Sequence, residues 1–152
     1  MVLVSHWTTP VVEPKRFSTW IYAAPVAEHR QVVIDGGEIH DHLWIPVSEA
    51  LARHERGEMG LLPPTLVTLR SLASYADLAQ LVAEERSSAV PEVLPVFARD
   101  SELVTVLFPG DAGYDSADAV AAGARHRAVL HDRTWIYSYS EVDPAYPSLV
   151  RL

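Results

Sequence analysis

Residues 35–65, DGGEIHDHLWIPVSEALARHERGEMGLLPPT, constrain the fold more than any other part of the chain, because turn, strand and helix signals succeed one another there in a single order. Asp35-Gly36-Gly37 is a turn signal, since glycine tolerates the positive φ that tight turns require. The alternation that follows predicts a strand over 38–45, with Ile39, Leu43 and Ile45 on one face and Glu38, His40, His42 and Trp44 on the other. Pro46 stops that ladder and suits the opening of a helix. Ala50, Leu51 and His54 repeat at helical spacing over 47–55, and Gly57 closes the helix. Pro63-Pro64-Thr65 begins a second helix.

Around this stretch the pattern is mixed. Val2, Leu3, Val4 and Trp7 predict a first strand over 1–8, with Leu3 and Trp7 on one face and Val2 and Val4 on the other. Phe17, Trp20, Ile21 and Tyr22 predict a second strand over 16–24, and residues 31–34 a short one that pairs across the Gly-Gly turn. Thr65, Leu66, Leu69 and Leu72 form an apolar stripe on a helix over 64–73. A third helix is expected to start at Ser74, with Asp77 completing its cap, and to end at Glu85.

Beyond Pro91 the character changes: strands are expected over 93–97, 102–108, 127–131 and 134–139, joined by turns at Arg99-Asp100, Pro109-Gly110-Asp111 and His131-Asp132-Arg133. Residues 116–124, small and Ala-rich, suit either a short helix or a loop, and the tail after Asp143 reads as irregular. The expected fold class is α+β, a mixed sheet with packed helices over 1–88 followed by a small antiparallel extension over 89–152 packed on the same domain.

Several functional classes are excluded by composition. A formal charge of -8 argues against a nucleic-acid backbone or an anionic membrane as the main partner, since both need a basic face. With no cysteine, disulfides and thiolate chemistry are absent, and any metal site must use His and carboxylates. No apolar run approaches the length of a membrane span and the first residues carry no signal pattern, so a cytoplasmic location is the expectation.

Four pieces in order carry a family resemblance: Pro14-Lys15-Arg16-Phe17 leading into a strand; Gly37-Glu38-Ile39 with Asp41-His42 before Trp44; Glu49-Ala50-Leu51; and Leu62-Pro63-Pro64-Thr65 before Leu69. Together they resemble the part of Nudix hydrolases that lies after the signature motif, in the branch that includes coenzyme A diphosphatase-like enzymes. The signature itself, G-x5-E-x7-R-E-x-x-E-E-x-G, has no match in the 152 residues. The nearest acidic cluster, Glu84-Glu85-Arg86, lacks the Glu-Glu pair and the glycine that should follow it. Only thirteen residues precede Pro14, so the chain resembles a Nudix fold that begins after its own catalytic helix.

The resemblance implies a hydrolase for a nucleoside diphosphate-linked substrate, possibly of coenzyme A type, that uses Mg²⁺ or Mn²⁺ when catalytic. It assigns Glu38 to the family's post-box glutamate, which orients water or a further metal, and Arg16 to a contact with the diphosphate. Phe17 and Trp44 are then substrate-binding candidates, although Ser18 replaces the acidic residue that often follows the Arg-Phe pair. Glu38, His40 and His42, about 7 Å apart along one strand face, form a candidate metal clip, although the pattern is more often that of a solvated strand face. The alternative is a non-catalytic binding or assembly module. Both readings leave sheet edges to be covered, by a second copy or by a chain that supplies the missing half.

Overall fold

In the computed structural model, residues 1–26, 32–37, 39–86, 90, 92–99 and 101–151 are described. The architecture is α+β: two sheets and three helices. The first sheet has the order β2-β1-β3, with β1 (Val2–Thr8) antiparallel to β2 (Ser18–Ala23) and parallel to the two-residue β3 (Glu92–Val93). The second is an antiparallel run of β4 (Val96–Phe97), β5 (Thr105–Leu107), β6 (Arg125–His131) and β7 (Thr134–Ser140). Between β2 and β3 lie α1 (Val47–Glu55), α2 (Pro63–Ala73) and α3 (Leu78–Glu85).

Local signals account for the helices. Pro63 occupies the first position of α2, where its missing N–H costs nothing, and α1 ends before Gly57 at a φ of 71°. The start of α3 differs from expectation by one turn. Ser74 closes α2, and Asp77 caps α3 by accepting the Gln80 N–H at 2.8 Å, while the Gln80 side chain accepts the N–H of Ala76 at 2.7 Å. The single strand expected over 93–97 is split between the two sheets, because Pro95 has no N–H to give a continuous ladder.

Strand β1 also corrects a sequence expectation. Leu3 stands opposite Tyr22 but Ser5 opposite Ile21, so β1 carries one extra residue, Val4, as a bulge. The bulge shifts the parity of every later position, and Trp7 joins Val2 and Val4 in the interior rather than sharing a face with Leu3. Trp7 then packs with Leu66 and Val67 of α2, Val93 of β3 and Val106, Ala128 and Trp135 of the second sheet, so both sheets and α2 share one core. Phe108 lies at its centre, edge-on to Trp7 at 5.9 Å.

The strands expected over 31–34 and 38–45 do not form in the described part of that stretch: residues 32–35 and 39–46 are irregular. Ile39, Leu43 and Trp44 are all more than half exposed. Alternation specifies a strand only where a sheet edge is in reach to pair with it, and this segment meets none.

Candidate binding site

The bulge that turns Trp7 inward also shapes a groove of about 420 Å³ between β1, the start of α2 and the second sheet. Trp7, Trp135, Phe97 and Val106 line it together with Phe17 and Leu62-Pro63-Pro64-Thr65. Its lining is almost entirely carbon, and prolines supply no N–H groups to it. Such a groove receives an apolar chain or ring and leaves a charged head in solvent at the mouth. Glu13 is on the rim, and the Lys15 ammonium sits 5.1 Å over the Phe17 ring.

Residues far apart in sequence thus converge: Phe17 and Leu62-Pro63-Pro64-Thr65, from two of the four pieces behind the family resemblance, line the same groove. Arg16 is exposed beside them, its Nε donating to the Thr9 carbonyl at 3.1 Å. Trp44 is 65% exposed and is not among the residues that line the groove. Glu38 lies outside the described residues. His40 and His42 are exposed on irregular backbone, so the regular face that would have aligned them is not present. Trp7, Phe97, Val106 and Trp135 were not singled out as site residues by the sequence, where strand aromatics and valines signal only a core.

Behind the second sheet is a buried ionic knot. The Asp111 carboxylate accepts Nε and Nη2 of Arg127 at 2.8 and 2.7 Å and the backbone N–H groups of Gly113 and His126 at 2.9 and 2.8 Å. Burial alone would push the Asp111 carboxyl up; the Arg127 guanidinium and the two N–H groups outweigh it and hold the group below its ordinary range. His126 is fully buried, its Nδ1 donating to the Pro109 carbonyl at 2.7 Å and its Nε2 without a partner among the described residues. Burial pushes its pKa down, against the Pro109 carbonyl and the Asp111 charge. With both carboxylate oxygens engaged, the knot ties the turn over 109–113 to β6.

The donors needed for a divalent cation do not assemble: among the described residues no three His, Asp or Glu side chains are grouped to hold a metal ion. These residues therefore do not fit the Mg²⁺ or Mn²⁺ centre that the resemblance implies. No helix among them is long and apolar enough to cross a membrane.

No protein-family profile matches the sequence, and no solved structure matches it. Among curated proteins, the human acyl-coenzyme A diphosphatase NUDT19 is 28% identical over 115 residues, which is 72% of this chain and 31% of that protein. The chain therefore spans about a third of the length of the curated relative it matches, and the likeness supports a relationship to Nudix-type hydrolases.

Proposed function

We propose that this chain is the substrate-side part of a Nudix-like diphosphatase whose substrate is a nucleoside diphosphate linked to an apolar arm, of the acyl-coenzyme A type. The observation that carries this reading is the groove, which Phe17 and Leu62-Pro63-Pro64-Thr65 line together with Trp7 and Trp135. Its carbon lining suits an acyl or pantetheine arm, each buried methylene contributing about 0.8 kcal/mol. Arg16 and Lys15, next to Phe17 at the mouth, are the cations available to a diphosphate. In this reading the carboxylates that hold Mg²⁺ or Mn²⁺ belong to residues beyond these 152, and Glu38 has the supporting part that the resemblance assigns to it.

Calorimetric titration tests this with palmitoyl-coenzyme A against free coenzyme A. The acylated ligand should bind tighter, with no cleavage by the chain alone. Cleavage sensitive to chelator should arise only when a polypeptide carrying an acidic Nudix motif is added. Equal affinity for the two ligands would remove the groove from the argument, and chelator-sensitive cleavage by the isolated chain would place the metal ligands within it.

A second reading, an assembly module, is favoured by β2. This strand ends the first sheet, bears no charged residue, and leaves Trp20 and Tyr22 55% and 46% exposed. An uncharged edge with exposed aromatics is a surface that another chain can extend. Light scattering on the pure chain separates the outcomes: a dimer whose mass halves on Trp20→Lys supports pairing through β2, and a monomer at all concentrations removes self-pairing.

A further inference from the structure

Ser18, His6 and Glu92 come from β2, β1 and β3 and meet on the face of the first sheet turned away from Trp7. In the ladder His6 stands opposite Trp20 on one side and Glu92 on the other, with Ser18 one pleat repeat from Trp20. Ser18 Oγ is 2.6 Å from His6 Nε2, and the Glu92 carboxylate is 3.7 Å from His6 Nδ1. Hydroxyl, imidazole and carboxylate thus stand in a row, the order in which a serine is activated as a nucleophile. The longer contact to Glu92 suits a free protein, in which such bonds tighten only on the substrate. The hydroxyl is within reach of solvent: Ser18 is exposed, and the His6 side chain keeps 20% of its accessible surface.

The neighbours fit this chemistry. The Trp20 indole N–H can only donate, and it reaches Ser18 Oγ at 3.2 Å, so the serine has its own proton available for the imidazole. The Trp20 ring packs against His6 at 4.9 Å between centroids and restricts its rotation. The Thr9 N–H donates to the Phe17 carbonyl at 2.9 Å, and alternation along an antiparallel ladder then turns the Ser18 N–H toward the unpaired edge of β2. A carbonyl carbon bonded to Ser18 Oγ would place its oxygen near that N–H. A single donor stabilises an oxyanion only in part, so the ester must carry a leaving group that departs readily. Trp20 and Tyr22, two and four residues beyond Ser18, are exposed on its face of β2 and offer a flat aromatic surface beside it.

We propose that Ser18, His6 and Glu92 form a serine-esterase centre for aryl esters of carboxylic acids, with Ser18 the nucleophile, His6 the general base and Glu92 the positioning residue. Ser18 Oγ bonds to the ester carbonyl carbon as its proton passes to His6 Nε2. The tetrahedral oxyanion then collapses, the bond to the aryl oxygen breaks with its electron pair, and His6 returns the proton to give the phenol. Water repeats the sequence on the acyl-serine: its proton passes through His6 to Ser18 Oγ, and the carboxylic acid leaves. Phe17 and Thr19, which line the groove, alternate to the other face of β2, so failure of acyl-coenzyme A binding would leave this proposal standing.

The full chain with p-nitrophenyl acetate tests it, by release of p-nitrophenol and by peptide mass mapping of the acetylated protein. Acetyl on Ser18 is expected, and Ser18→Ala and His6→Gln should each slow release by about 100-fold. Glu92→Gln should lower kcat severalfold with KM unchanged, and Glu92→Asp should restore part of the loss. Acetyl on Lys15 or another side chain with Ser18 unmodified, or release unchanged in Ser18→Ala, would overturn the proposal. Should His6→Gln fail to fold, Ser18→Ala, at an exposed position, decides the outcome by itself.

Discussion

The Nε2 of His54 accepts the backbone N–H of Trp135 at 3.0 Å, tying α1 to β7 across 81 positions of sequence. The Nδ1 of the same ring donates to the Met59 carbonyl at 2.9 Å, and the His54 carbonyl accepts the Thr134 hydroxyl at 3.1 Å. With one ring nitrogen bonded to each of two segments, the orientation of the imidazole is fixed. Its side chain is wholly buried.

Removing that ring should therefore cost more than its volume. His54→Ala leaves a cavity and strands the Trp135 N–H and the Met59 carbonyl, and urea denaturation should show a loss of about 3 to 5 kcal/mol. A loss under about 1 kcal/mol would mean that the bridge between α1 and β7 contributes little to the fold.

Asp111 and Arg127 form the second long-range tie. Asp111→Asn keeps the carboxylate's shape but leaves the Arg127 guanidinium buried without its anion, at an expected cost of about 3 to 5 kcal/mol. The double variant Asp111→Leu with Arg127→Met should lose much less than the sum of the single changes, because neither charge is then left alone. Additive losses in equilibrium unfolding would contradict a coupled pair.

Stability should fall in acid for two reasons of the same sign. The folded pKa of His126 is depressed, so its contribution is complete above the ordinary histidine value of about 6.5 and is lost as pH drops through the lower folded value. The Asp111 carboxyl is also depressed, so its contribution is present above the ordinary aspartate range and is lost as pH falls through its own lower value. Denaturation midpoints should thus begin to decline below neutrality and decline further in stronger acid. His126→Phe should flatten the first part of that profile and leave the second; an unchanged first part would assign it to another group.

Leu62 links the groove to helix stability. It is the N-cap of α2, with extended backbone and no side-chain cap hydrogen bond, and it is 70% exposed on the groove rim. Leu62→Asp should raise stability by about 0.5 to 1 kcal/mol through capping and weaken palmitoyl-coenzyme A binding by about tenfold. Calorimetry and thermal melts together read both effects, and tighter or unchanged binding would show that the apolar arm does not lie there.

Short-range signals decided much of the secondary structure. Pro46 and Gly57 bracket α1, Pro63 opens α2, and the pattern of strands joined at His131-Asp132-Arg133 returns as β6 and β7. These features depend on a residue's own φ preference and on neighbours one helical turn or one pleat away, so the order of residue types is enough to specify them. The irregular course of 39–46, the Val4 bulge that turns Trp7 inward, and the burial of His54 and Asp111 depended instead on partners far along the chain. Alternation cannot announce whether a sheet edge will be in reach, and a histidine or aspartate carries no local sign of the N–H that will meet it. Phe17 and Leu62-Pro63-Pro64-Thr65 were visible as separate motifs, but only tertiary packing around Trp7 and Trp135 set them in one groove, because burying both indoles brings those distant segments together.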